Sequence, residues 1–201
     1  MNTPRTDPAR AALRVIHDEH RALEAMLLTM PLLLAQRQRA EAPPNFPVLR
    51  AMLCYIAEYP ERLHHPKEDA SLFPAVRRAR PELAPVLDRL SSQHAEGEAR
   101  LNQLERTLTA WECLGESRRD AFREALDAYV RFYLSHMQLE ESQVIPAARE
   151  SLTTEQWQQV ADEFAASRDP FTGAPPEPEF AALYRTIVNA LPAPLGYGDP
   201  A

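Results

Sequence analysis

The sequence is short of several features that mark common functional classes. Basic residues are outnumbered, with 22 Lys and Arg against 29 Asp and Glu, and the net charge of −7 argues against a nucleic-acid-binding surface. Glycine is scarce, at five of 201 residues. Strand-like runs are few, and a composition rich in Ala, Leu, Glu and Arg predicts an all-α chain.

Long hydrophobic runs are missing as well. The longest covers 26–35, is interrupted by Thr29 and Pro31, and is too short to cross a bilayer, so we expect no membrane partner. The N-terminus lacks the charged-then-apolar pattern of a signal peptide. Two isolated cysteines, Cys54 and Cys113, favour free thiols in a reducing compartment, and we expect a cytoplasmic protein.

Proline divides the chain into helical stretches. The 19 prolines cluster mainly at 43–47, 74–85, 170–178 and 192–200, where we expect loops. Long patterns of helical periodicity lie between these clusters. They predict an antiparallel up-down four-helix bundle at 10–151, after a disordered N-terminus at 1–9. A C-terminal extension and tail at 152–201 carries additional short helices, which we expect either to cover the bundle end or to form a homodimer contact.

The histidines of this chain are placed unusually. Four of the six have Glu four residues later, in the pairs His20–Glu24, His64–Glu68, His94–Glu98 and His136–Glu140. Glu is 20 of 201 residues, so chance gives a histidine this neighbour roughly one time in ten. One helical turn is about 3.6 residues, so each pair lies on one helix face and can reach one metal ion.

Counting residues from the predicted loops places the four histidines at one level of the bundle. The second and fourth helices run parallel in such a bundle. Glu68 and Glu140 are therefore displaced in the same direction and could bridge two metals. Glu98 is displaced the opposite way, as a terminal ligand or a partner of a ligand. The predicted metal-binding residues are His20, His64, Glu68, His94, Glu98, His136 and Glu140.

The predicted set of donor residues indicates which metal ions would bind. Four imidazoles and two carboxylates exceed the four ligands of a structural zinc. They suit two first-row ions that prefer octahedral coordination, with iron the natural choice and manganese or zinc less favoured. The simpler alternative is that each histidine is an ordinary hydrogen-bonded core residue. His65 and Asp69 repeat the spacing one step round the helix, and we expect them to form a solvated pair or to support the ligands.

The residues quoted above resemble the hemerythrin-like family, the HHE cation-binding domains. The resemblance covers roughly 10–150. It rests on Glu19-His20, on His64 to Glu68 followed by Leu72-Phe73-Pro74, on His94 with Glu98, and on His136 with Glu140-Glu141. It implies a four-helix bundle holding a non-haem, oxo- or hydroxo-bridged pair of iron ions, with bridging carboxylates from the second and fourth helices.

The chain departs from the oxygen-carrying members of that family at two positions. Glu98 stands where they place a second histidine on the third helix. Their last carboxylate comes five residues after its histidine, which here is Glu141. Glu98, Glu141 or a tyrosine could therefore complete the site.

The resemblance also implies a function. It suggests a protein that binds iron and O2, NO or peroxide, in iron handling or in the response to oxidative or nitrosative stress. One alternative is a di-iron enzyme that reduces peroxide or NO, or that donates iron for iron–sulfur cluster repair. A second alternative is a structural zinc-binding bundle. We favour a metal-binding or sensor protein over a dedicated enzyme.

Overall fold

Four long helical segments form the body of the protein in a computed structural model that describes residues 7–191 and 196–197. Helix accounts for 87% of those residues, and they contain no strand. The first segment is α1 (Pro8–Arg39) and the third is α5 (Ala84–Leu114). The second covers 46–79 and joins α2 (Phe46–Ile56), a π-helical stretch (Ala57–His64), α3 (His65–Lys67), a second π-helical stretch (Glu68–Leu72) and α4 (Phe73–Ala79). The fourth covers 119–151 and joins α6 (Arg119–Leu139), a π-helical stretch (Glu140–Val144) and α7 (Ile145–Ser151).

Shorter helices follow the fourth segment or connect the longer ones. The C-terminal extension contains α8 (Thr154–Ala165) and α9 (Ala181–Val188). Short 3-10 helices lie at Pro81–Leu83, Glu116–Arg118, Pro170–Thr172 and Pro178–Phe180. Among the described residues, no helix is both long enough and apolar enough to cross a membrane.

Local sequence explains where the helices begin. Asp7 accepts a hydrogen bond from the backbone of Ala9, and Pro8 occupies the first turn, where its missing N–H costs nothing. The predicted disordered stretch at 1–9 is therefore too long, because helix already begins at Pro8; residues 1–6 lie outside the described part of the chain. Thr153 forms a reciprocal capping box with Gln156 at the start of α8.

The second and fourth segments share an internal repeat. Each carries the pattern His-x3-Glu-x5-Pro, at His64 to Pro74 and at His136 to Pro146. In each, the π-helical stretch begins at the glutamate, whose carbonyl accepts a bond from the residue five positions on. The proline that follows lacks an N–H, which relaxes the regular α-helical ladder at that point. Single π turns of this kind occur often at functional sites.

A buried polar layer divides the apolar core into two clusters. On α1, Ile16 belongs to one cluster and Leu23 to the other, with His20 between them. On α5, Leu90 and Leu101 flank His94 in the same order. The second and fourth segments pass through the two clusters in the opposite order, as at Tyr59, His64 and Leu72. This alternation favours the antiparallel up-down order, which stays a prediction.

A glycine in α5 provides room beside the polar layer. Gly97 is buried, and a Cβ built there would overlap the hydroxyl of Tyr133 and lie 2.8 Å from its Cζ. The Tyr133 hydroxyl in turn donates a hydrogen bond to Glu61. The close approach of α5 to the fourth segment therefore depends on the lack of a side chain at Gly97.

We predict that Gly97→Ala lowers the free energy of unfolding by about 1–3 kcal/mol, because Tyr133 must move. At an open position in a helix, the same change stabilises by roughly 0.5–1 kcal/mol. Urea unfolding of the metal-free protein gives the sign of the effect. A stabilised variant would show that the space beside Gly97 is not needed.

Candidate metal centre

Six of the seven predicted ligands meet in the polar layer. They are His20, His64, Glu68, His94, His136 and Glu140, and all are buried. Both carboxylates have no solvent exposure at all. Each of the four helical segments contributes one histidine, and the second and fourth also contribute one glutamate each.

The ligand atoms fall into overlapping groups. His20, His64 and Glu68 form one group, in which the ligand atoms lie within 4.8 Å of one another. Glu68 also belongs to a second group, with His136 and Glu140. A third group, of the same size, consists of His65, His94 and His136. The layer therefore offers adjacent metal positions that share residues.

Glu68 lies between the two ends of this layer. Its Oε1 is 3.0 Å from Nε2 of His64 and 3.8 Å from Nε2 of His20. Its Oε2 is 3.4 Å from Nε2 of His94. The two carboxylate oxygens thus face histidines of different groups. Glu140 approaches the first group as well, with Oε2 3.4 Å from Nε2 of His20.

The donor atoms of the layer are unsatisfied. Within the described residues, three imidazole nitrogens (Nε2 of His64, His94 and His136) and four carboxylate oxygens (both of Glu68 and both of Glu140) are buried with no hydrogen-bond partner. A buried polar group without a partner costs about 1–3 kcal/mol, and more if it is charged. Metal cations would provide a partner for all seven atoms at once. The residues of the layer therefore fit the metal ions that their nitrogen and oxygen donors imply.

The histidine rings are held from behind. The Nδ1 of His64 lies 2.6 Å from Oε2 of Glu19, and that of His20 lies 3.0 Å from Oε1 of Glu141. The remaining pairs are His94 with Asp69 at 2.8 Å, His65 with Glu61 at 3.2 Å and His136 with Gln93 at 3.2 Å. An oxygen at Nδ1 holds the proton there and leaves the Nε2 lone pair for a metal. All five buried histidines share this arrangement.

The charges of the layer conflict in the absence of a cation. Burial, together with the charge of Glu68, raises the pKa of Glu140 to about 7. Burial, together with neighbouring imidazoles such as His65, lowers the pKa of His136 to about 2. Both groups are therefore pushed towards their neutral forms. Divalent or trivalent cations would remove this conflict, because they stabilise carboxylates and neutral imidazoles together.

A comparison with known families matches residues 11–148 to the family described as "Hemerythrin HHE cation binding domain". The match covers more than half of the chain and includes all six residues of the layer that were predicted as ligands. The chain belongs to the hemerythrin HHE cation-binding family. The buried His/Glu cluster of this HHE domain is compatible with metal binding.

Relatives among curated proteins are distant. Proteins of Mycobacterium tuberculosis and of Mycobacterium bovis, each described as uncharacterized, are 24% identical to the chain over 162 residues. These alignments cover 81% of this chain and 63% of each relative, so the chain spans less than two thirds of their length. No solved structure matches the chain significantly.

The structure places three residues differently from the sequence expectations. Glu98, which the sequence predicted as a ligand, is exposed and belongs to none of the three groups. Glu141 is half-exposed and serves as the Nδ1 partner of His20. His65, expected in a solvated pair or a supporting role, is buried beside His94 and His136.

The C-terminal extension of this HHE domain also reaches the centre, although it lies beyond the matched residues. Ser167 donates a hydrogen bond to Oε1 of Glu19, whose other oxygen holds His64. The ring of Phe164 meets the ring of His64 edge-on, with centroids 5.8 Å apart. Sequence reasoning missed Ser167, since 148 residues separate it from Glu19.

We predict that Ser167→Ala weakens the binding of one metal ion by roughly tenfold, because Glu19 loses a donor that fixes it behind His64. Competition titration with a chromogenic chelator measures the change. Ser151→Ala is the matched control, since the Ser151 hydroxyl bonds only to Ala147 of its own helix. Equal affinities in the two variants would contradict a role for the extension.

Proposed function

We propose that this HHE domain is a non-haem di-iron protein of the hemerythrin-like type. It holds two iron ions between four helices in antiparallel up-down order, and it binds O2, NO or peroxide at that centre. The observation that carries the proposal is the set of seven buried nitrogen and oxygen atoms in one layer that have no hydrogen-bond partner among the described residues. Two first-row ions account for that number of donors better than one tetrahedral zinc does.

The chain's residues divide into two sets around the proposed ions. His20 and His64 would hold one ion, and His94 and His136 the other. Glu68 joins both, since its two oxygens face histidines of different sets. Glu140 completes the shared part of the site, next to Glu68 and His136. The negative charge of the two carboxylates is what two buried cations require.

Bound iron would supply a redox centre with affinity for O2, NO and peroxide. The protein around it excludes bulk water, because the six residues are buried between two apolar clusters. The hydrogen-bond acceptors behind the rings keep each Nε2 directed to its metal position. We propose a role in iron handling or in the response to oxidative or nitrosative stress, in the cytoplasm.

Two observations favour an enzyme as the second candidate. The hydroxyl groups of Tyr129 and Tyr133 both donate to Glu61, next to His65. A groove lined by Glu61, His65, Asp69 and His94 also leads from the surface to this side of the centre. Together they would give a small molecule such as peroxide or NO access to the centre beside groups that hold protons. Iron donation for cluster repair would use the same opening.

We predict that the purified protein, reconstituted with ferrous iron, binds about two iron ions per chain. Glu68→Ala is expected to lose both, because Glu68 belongs to both sets, and His20→Ala about one. His17→Ala is the control, since His17 is part-exposed and belongs to no group. Elemental analysis measures the content. One zinc and no iron would contradict the proposal and support the structural zinc bundle.

We predict that stopped-flow mixing of the reduced di-iron protein with NO or O2 gives a single binding phase that saturates at one ligand per centre. A fixed stoichiometry is the behaviour of a carrier or sensor. Repeated turnover of peroxide or NO with an added reductant would contradict pure binding and favour the enzyme. The Glu68→Ala protein serves as the control without a centre.

A further inference from the structure

Tyr133 is a buried phenol beside the polar layer, three residues before His136 in the fourth segment. Its side chain has no solvent exposure. The hydroxyl donates a hydrogen bond to Oε1 of Glu61. Because the hydroxyl is directed at Glu61 and not at the donor atoms of the layer, metal ligation gives Tyr133 no role.

A continuous stack of rings joins Tyr133 to the layer. The rings of Tyr133 and His65 are nearly parallel, with centroids 5.6 Å apart and planes 4° apart. His65 stacks in turn on His94, at 4.3 Å and 10°. The in-plane lone pairs of two rings stacked this closely cannot converge on one ion. His65 therefore connects Tyr133 to the predicted ligand His94 without being a ligand of the same ion.

Glu61 is placed to take the proton of the phenol. Its side chain is 9% exposed, and its Oε1 accepts hydrogen bonds from Tyr133 and Tyr129. Phenols are protonated at neutral pH, and a buried phenol that lost only an electron would become a buried cation, which is costly. A base that takes the proton in the same step removes this cost. Glu61 also lines the groove that reaches the surface, so the proton can pass on to solvent.

We propose that Tyr133 is a redox-active residue that donates one electron to the proposed di-iron centre through the stacked rings of His65 and His94, while its phenolic proton passes to Glu61. This inference rests on the proposed function and goes beyond ligand binding. It gives the protein a one-electron reserve, outside the metal ions, for the reduction of peroxide.

Electrons and protons balance for a centre that holds one ferrous and one ferric ion. Peroxide needs two electrons to break its O–O bond and become two water molecules. The ferrous ion supplies one and becomes ferric, and Tyr133 supplies the other and becomes a neutral phenoxyl radical. The phenolic proton goes to Glu61, and two protons from solvent complete the two water molecules. A single electron would instead release a hydroxyl radical.

Electron paramagnetic resonance tests this step directly. Iron-loaded protein is reduced to one electron per centre, mixed with one equivalent of hydrogen peroxide and frozen within seconds. Wild-type protein is expected to lose the signal of the mixed-valent iron pair and to gain that of a neutral tyrosyl radical, approaching one radical per centre. Ring-deuterated tyrosine in the wild-type protein should narrow the new signal, which identifies a tyrosine without altering the fold.

Tyr133→Phe keeps the ring of the stack without the hydroxyl, and it is expected to lose the radical signal at unchanged iron content. Tyr55→Phe is the matched control. Tyr55 is also a buried phenol that donates to a carboxylate, at 2.6 Å from Oδ2 of Asp169, but its ring packs on Tyr59 and Phe171. This control should keep the full radical yield.

Glu61→Gln tests the proton transfer separately. The amide keeps an oxygen that accepts the hydrogen bond of the phenol, but it cannot take the proton. The radical yield is expected to fall at unchanged iron content. Glu98→Gln, which changes another acid lining the same groove, should leave the yield unaltered. Circular dichroism and melting of the metal-free proteins check that the variants fold.

Several results would overturn the proposal. A radical in Tyr133→Phe equal to that of the wild type shows that the electron comes from elsewhere, and an unaltered yield in Glu61→Gln rules out Glu61 as the base. Wild-type protein that binds two iron ions but forms no radical with peroxide refutes the role of Tyr133 and leaves the di-iron function standing. Fewer than two iron ions per chain contradicts the di-iron function, and the role of Tyr133 with it.

Discussion

The burial of two carboxylates that have no hydrogen-bond partner is the constraint on which this structure depends. Glu68 and Glu140 lie at the centre of the helices, fully buried, with no hydrogen-bond partner for any of their four oxygens among the described residues. Isolated buried charges cost several kcal/mol each. Apolar packing above and below the layer excludes the water that could otherwise solvate them. Cations bound by these oxygens and the surrounding imidazoles would remove the cost.

The local sequence of the helices places these histidines and glutamates at one level of the protein. In the second and fourth segments, the same His-x3-Glu-x5-Pro pattern is accompanied by a π-helical stretch that begins at the glutamate, four residues after the histidine. Outside the layer, acceptors such as Glu19 and Asp69 fix the imidazoles. Serine hydroxyls then hold these acceptors, with Ser167 donating to Glu19 and Ser91 to Asp69. The C-terminal extension beyond the family's matched region is thus joined to the buried His/Glu layer through Glu19.

The sequence predicted much of this centre, because helical periodicity is a local property. Residue counting brought His20, His64, His94 and His136 to one level, and the direction of the helices grouped Glu68 with Glu140. Glu98 shows the limit of spacing alone. The apolar seam of α5 passes through Leu90, His94, Gly97 and Leu101, and position 98 is one step off that seam, facing solvent. The spacing of the residues in this seam already indicates that position 98 faces solvent.

Other features could not be predicted, because they depend on contacts between distant segments. Whether His65 faces solvent or the core depends on how the second segment rotates through its π-helical stretches. Four of the five partners of the imidazole rings come from distant positions, as with His20 and Glu141, 121 residues apart. No local pattern links such residues, so the layer around the ligands emerges only once the helices are packed.

The central claim is that the buried carboxylates depend on metal ions, and the free energy of unfolding tests it most directly. It is measured by denaturant titration of chelated and iron-loaded protein, for the wild type and for a variant carrying Glu68→Gln and Glu140→Gln. We predict that iron stabilises the wild type by several kcal/mol and the variant hardly at all. The chelated variant should be at least as stable as the chelated wild type, because two buried ionisable carboxyl groups are replaced by neutral amides. A chelated wild type as stable as the iron-loaded protein would contradict the account.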